Sequence, residues 1–104
     1  MTTETLADGA IVVRVEGELD LATSGALEEA LDAANGGRLV IDLGGCTFVD
    51  SSAVRVLVSA ARSAEESGRT VSLVARDPGI LRVLEIAAVD TMLPVHSSVD
   101  EASS

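Results

Sequence analysis

The chain has 104 residues, 47% of them hydrophobic, and a net charge of −10. That length and composition imply one domain with a modest core, and the charge repels a nucleic-acid backbone rather than gripping it. Phe48 is the only aromatic residue, so the core must be built from Val, Leu, Ile and Ala, and no aromatic set exists to stack on bases.

Residues 4–7 read as a weak strand, and Asp8-Gly9 as a hairpin turn. Ile11 to Val15 is a stronger strand, with Ile11, Val13 and Val15 on one face. Gly17-Glu18-Leu19-Asp20 then leads into a helix opened by Thr23 or Ser24, whose Leu27, Ala30, Leu31 and Ala34 share a face. Asn35-Gly36-Gly37 stops it. Leu39 to Leu43 is the next strand, with Leu39, Ile41 and Leu43 inward. A loop through Gly44-Gly45 and Cys46-Thr47-Phe48-Val49 reaches Asp50-Ser51-Ser52, where a long helix begins. It buries Val54, Leu57, Val58, Ala61 and Ala64 and ends at Gly68. Thr70 to Ala75 is a strand. Asp77-Pro78 starts a third helix with Asp at the N-cap and Pro at the first helical position. Its core stripe is Ile80, Leu81, Leu84 and Ala87. Met92 to Val95 reads as a short edge strand, and Ser98-Val99-Asp100-Glu101 as a capping box for a terminal helix of about one turn. Strands alternating with helices predict an α/β sheet, parallel in its centre with an antiparallel hairpin at the start. The strands alternate in polarity, so the helices are expected mostly on one face.

The chemistry on offer is narrow. His96 is the only histidine, there is no lysine, and no G-x-S-x-G, Walker A or G-x-G-x-x-G pattern occurs. A serine nucleophile needs a base and a group to orient it, so the residues make no case for an enzyme, a metal or a cofactor. Cys46 is alone, which implies a buried, reduced thiol. No apolar run reaches the roughly 18 residues of a membrane span, and the polar start MTTETLADG is not a signal peptide, so a cytoplasmic protein is expected. The richest stretch is Leu39 to Gly68. It places Asp50-Ser51-Ser52 at a loop-to-helix junction, where free N–H groups and the helix dipole favour an anion. A hydroxyl there is either a helix cap or a group that something phosphorylates, and residue chemistry alone leaves both open. Asp20 and Asp50 each follow a strand and should share the carboxyl edge of the sheet. Thr23 or Ser24 can cap the helix after Asp20, which leaves that carboxylate without a structural duty.

Gly17-Glu18-Leu19-Asp20, the strand Leu39 to Leu43, and Phe48-Val49-Asp50-Ser51-Ser52-Ala53 with Val56-Leu57 closely resemble the STAS-domain anti-sigma factor antagonists, as do Asp77-Pro78, Arg82-Val83-Leu84-Glu85 and Leu93-Pro94-Val95. The likeness runs from about Glu4 to Glu101, and F-x-D-S-S downstream of G-E-L-D is its most specific part. It implies a single STAS-type α/β domain over 1–104: a mixed sheet of four to five strands, about three main helices, a core over about 4–96, and 97–104 as a vestigial helix or tail. It also implies a non-enzymatic, cytoplasmic regulator without a cofactor. Such a protein binds an anti-sigma factor serine kinase, is phosphorylated on Ser51 (with Ser52 the runner-up) and is reset by a phosphatase. It engages neither nucleic acid nor membrane. The partner-reading surface carried over is Asp20, Asp50, Ser51, Ser52 and Ala53. Two positions depart from the family pattern, Ala53 and Ala88, where glycine is usual; the β-carbon of Ala53 is expected to crowd the approach of a kinase loop. A STAS module of another system, such as a stressosome or a lipid-transport component, would share the fold and differ in partner.

Overall fold

Asp8 and Gly9 set the first turn. The Asp8 carboxylate accepts from the Ala10 N–H at 3.0 Å, Gly9 takes φ 90°, and Leu6 and Ala10 close the loop at 2.7 Å. The hairpin joins β1 (Thr2–Thr5) to β2 (Ile11–Leu19). There follow α1 (Leu21–Ala33), β3 (Arg38–Val49), α2 (Ser51–Ser67), β4 (Thr70–Val74), α3 (Pro78–Ile86), a 3₁₀ turn (Val89–Thr91), β5 (Val95–His96) and α4 (Val99–Ser103). The computed structural model describes residues 1–34 and 37–103, so Asn35 and Gly36 of the expected helix stop lie outside the described residues.

The strands lie in chain order, β1-β2-β3-β4-β5, with β1 antiparallel to β2 and every later pair parallel. Parallel strands that advance in one direction through crossovers of one hand put their helices on one side. Accordingly, Val13 and Val15 of β2, Leu39, Ile41 and Leu43 of β3, and Val71 and Leu73 of β4 pack with Leu27 of α1, Leu57 of α2 and Leu84 of α3. On the other face Val12, Val40 and Val74 form a second buried row, covered by Leu6 and by Val99 and Ala102 of α4. The expected sheet and its one-sided helices are present. The last residues, expected as a vestige, close the second face.

Several element boundaries differ from the sequence reading. Both β2 and β3 run past their expected ends at Val15 and Leu43, because each has the other to pair with. Glu16 to Leu19 pair with Gly45 to Val49, and register shifts after Arg14 and after Gly17 absorb the glycines that had read as loop. Gly17 takes φ 80° at the second shift. The inward face of α2 is Ala53, Val56, Leu57, Ala61 and Ala64, with Val54 and Val58 half-buried on its flank. In α3, Ile80 and Leu84 are buried as expected, whereas Leu81 is exposed and Ala87 half-buried. Met92 ends the 3₁₀ turn, and the last strand is only Val95–His96. Gly68 ends α2 at φ 71°, and Asp77 caps α3 through the Ile80 N–H at 3.0 Å, both as the sequence indicates.

Candidate functional site

β4 stops at Val74, opposite Asp42, so β2 and β3 continue alone as a two-stranded ribbon. Its strands end side by side, with Leu19 paired to Val49 and the Asp50 N–H donating to the Leu19 carbonyl at 3.2 Å. Both then turn into helices, so the N-termini of α1 and α2 lie together at the carboxyl edge of the sheet.

Each helix starts on an aspartate. Asp20 accepts from the N–H groups of Ala22 at 3.0 Å and Thr23 at 3.2 Å. Thr23 returns the bond, its hydroxyl accepting from the Asp20 N–H at 2.9 Å and donating to the Glu18 carbonyl at 2.9 Å. This reciprocal cap opens α1 at Leu21, before Thr23 and Ser24. The expectation that Asp20 has no structural duty is therefore corrected: it is the cap. Asp50 caps α2 with one oxygen, which accepts from Ser52 N–H at 3.0 Å, Ala53 N–H at 3.1 Å and the Ser52 hydroxyl at 2.6 Å. Its other oxygen accepts from the Leu21 N–H of α1 at 3.1 Å. One carboxylate thus ties two helices together. These bonds, that from the Ser52 hydroxyl foremost, hold the Asp50 carboxyl below its ordinary 3.8 against the opposing effect of burial.

The two serines differ. Ser51, first residue of α2, is exposed, and its hydroxyl makes no hydrogen bond among the described residues. Ser52 is half-buried and spends its hydroxyl on Asp50. Ala53 has 0% of its surface exposed and packs in the core, so its β-carbon points away from any docking partner; its expected place on the partner-reading surface is corrected. Two apolar residues outside the expected partner-reading surface flank the junction, Leu21 at 79% and Phe48 at 49% exposed. Both carry a signal in the sequence: Leu21 falls off the Leu27-Ala30-Leu31 stripe, and Phe48 is the only aromatic residue and lies two positions before Asp50.

His96 does not join this site. Its row across the sheet is Asp42, Val74, His96, and β3 runs on from Asp42 to Val49 before Ser51 is reached, on the order of 20 Å of strand. Ser51 therefore has no imidazole to activate it. Among the described residues no cluster of three His, Cys, Asp or Glu side chains could hold a metal, and no helix is long and apolar enough to cross a membrane. Cys46 lies on the ribbon but faces inward, 4% exposed; burial, with the charge of Asp42 adding, pushes its thiol up to about 11, so it is a protonated thiol at neutral pH.

A family model described as Mlab, STAS domain, matches residues 2–94. The chain is 35% identical over 107 residues to the anti-sigma-F factor antagonist RsfB of Mycobacterium tuberculosis, an alignment covering 96% of this chain and 85% of that protein. It is 29% identical over 102 residues to the anti-sigma-F factor antagonist RsfA of the same organism, covering 93% and 80%. The crystal structure of an anti-sigma factor antagonist from Mycobacterium paratuberculosis superposes with a TM-score of 0.87 at 31% identity, over 98% of this chain and 90% of that one. With a family match over nearly its whole length and relatives this similar, the chain belongs to the STAS-domain family of anti-sigma factor antagonists.

Proposed function

We propose that this chain is a cytoplasmic anti-sigma factor antagonist that acts as one module, binds an anti-sigma factor serine kinase while unphosphorylated, and is released when the kinase phosphorylates Ser51. The observation that carries this reading is the contrast between the two serines. Ser51 presents an exposed hydroxyl with no hydrogen bond among the described residues at the first turn of a helix, while Ser52 is committed to Asp50. The names of the relatives support the partner class.

In this mechanism the chain supplies a hydroxyl and a docking surface, and the kinase supplies ATP and the base. The Ser51 oxygen attacks the γ-phosphorus, the bond to ADP breaks, and the serine proton passes to the kinase base. Leu21, at the start of α1, and Phe48, near the end of β3, offer exposed apolar surface at the same edge, and Asp20 and Asp50 cap the two helix starts. The phosphate adds about −1.5 to −2 charges at a junction that already holds two carboxylates. A helix N-terminus offsets only about 0.3–1 kcal/mol of this, whereas burying the phosphate unpaired in a closed interface costs several kcal/mol. The interface therefore opens and the kinase is released, until a phosphatase restores the hydroxyl.

The test is incubation with the cognate kinase and ATP followed by mass spectrometry and a binding titration. The expected result is phosphate on Ser51 in the wild type and in Ser52→Ala, none in Ser51→Ala, constitutive binding by Ser51→Ala, and weakened binding by Ser51→Asp with the fold retained. Phosphate on Ser52 in the Ser51→Ala protein would mean the other hydroxyl is the acceptor. A STAS module of another assembly would keep the fold but show no affinity for an anti-sigma factor, which the same titration reads.

A further inference from the structure

A phosphate on Ser51 finds few free donors at the helix start. Asp50 already occupies the N–H groups of Ser52, Ala53 and Leu21, and Asp20 those of Ala22 and Thr23. Glu16 and Glu18 of the same ribbon are exposed acids. An added dianion here needs a cation.

Helix α2 supplies one. From Ser51 to Ala64 it carries no carboxylate and two arginines, Arg55 and Arg62. Arg55 is exposed, four residues on from Ser51, and makes no ion pair or hydrogen bond among the described residues. Residues four apart share a helix face, with Cβ atoms about 5–6 Å from each other. Helical side chains lean toward the N-terminus, so the long Arg55 side chain can reach back over the turn that carries Ser51. An anion N-terminal to the cation is the favourable order for such a pair, and a guanidinium can offer two parallel N–H groups to two phosphate oxygens. The acids of α2, Glu65 and Glu66, lie more than two turns beyond Arg55, and the nearest one before the helix, Asp50, has both oxygens engaged.

We propose that Arg55 is a positioning residue for the phosphorylated state: it swings onto the phosphate of Ser51, neutralises part of its charge and fixes its orientation at the helix start. This rests on Ser51 being the acceptor. Pairing covers oxygens that a phosphatase must grasp, so Arg55 lengthens the life of the phosphoserine as well as orienting it.

The experiment uses the full chain with phosphoserine incorporated at position 51 during synthesis, so that no kinase is involved, and follows the second ionisation of the phosphate by phosphorus NMR. The phosphate in the otherwise wild-type chain should titrate roughly 0.2–0.4 of a pH unit lower than in Arg55→Gln at low salt. Arg55→Lys should fall between them, Arg62→Gln, with the same loss of charge, should match the wild type, and ~1 M salt should abolish the difference. Equal titration of the wild type and Arg55→Gln, or an equal effect from Arg62→Gln, would overturn the pairing. A kinase that leaves Ser51 untouched would instead overturn the choice of acceptor and would not alter this titration.

Discussion

Asp50 decides the fates of its neighbours. By accepting from the Ser52 hydroxyl and two N–H groups with one oxygen, it fixes the second serine and leaves the first projecting outward. The same bonds favour its ionised form, so its folded carboxyl lies below the ordinary 3.8. The sign follows from linkage: a carboxyl depressed in the folded state contributes stability above its unfolded value and loses it as pH falls through the folded one. Urea midpoints of the wild type and Asp50→Asn should therefore differ most near neutrality and converge below about pH 3.8. A gap that stayed constant down to low pH would mean that the charge of Asp50 does not enter its capping.

At the level of elements, the notable feature is that two helices begin at one point, through the ribbon of β2 and β3. The Asp20 cap should behave as other caps do: Asp20→Ala should lower stability by about 0.5–2 kcal/mol. Asparagine caps as well as aspartate, so Asp20→Asn should leave the urea midpoint nearly unchanged. The pair of variants separates capping from docking. If the charge of Asp20 is read by a partner, Asp20→Asn alone weakens kinase binding and slows modification of Ser51. Normal binding by Asp20→Asn would restrict Asp20 to its cap. These elements were largely legible in advance, because each has a local signature: Gly68 past the end of α2, Asp77-Pro78 at the start of α3, the apolar alternation of Leu39, Ile41 and Leu43. What was not legible was the extension of the ribbon. Gly17 and Gly44-Gly45 carry loop chemistry, and only pairing with a strand about 30 residues away makes them strand.

For the whole molecule, three helices close one face of the sheet and a five-residue helix closes the other. Val12, Val40 and Val74 are buried there only because Leu6, Val99 and Ala102 cover them. Fully exposing one such side chain costs about 1.5–3 kcal/mol, so deleting residues 99–104 should lower stability on the order of 2 kcal/mol and promote self-association through the uncovered row. Urea denaturation and sedimentation would measure both; an unchanged midpoint would mean that Leu6 suffices as cover. The arrangement leaves the carboxyl edge, where Ser51 stands, free of both layers.

By itself the sequence determined the alternation of strands and helices, the aliphatic core, the F-x-D-S-S junction and the candidate hydroxyl, because each is written in neighbouring residues whose backbone preferences act locally. The tertiary structure decided what Asp50 and Ala53 do, whereas the cap made by Asp20 is local and closes within residues 18–23. Asp50 reaches Leu21 only because β2 and β3 end in register, and Ala53 faces inward only because α2 packs on the sheet with that phase. Those outcomes depend on contacts between segments distant in the chain, and no local preference encodes the register that brings them together.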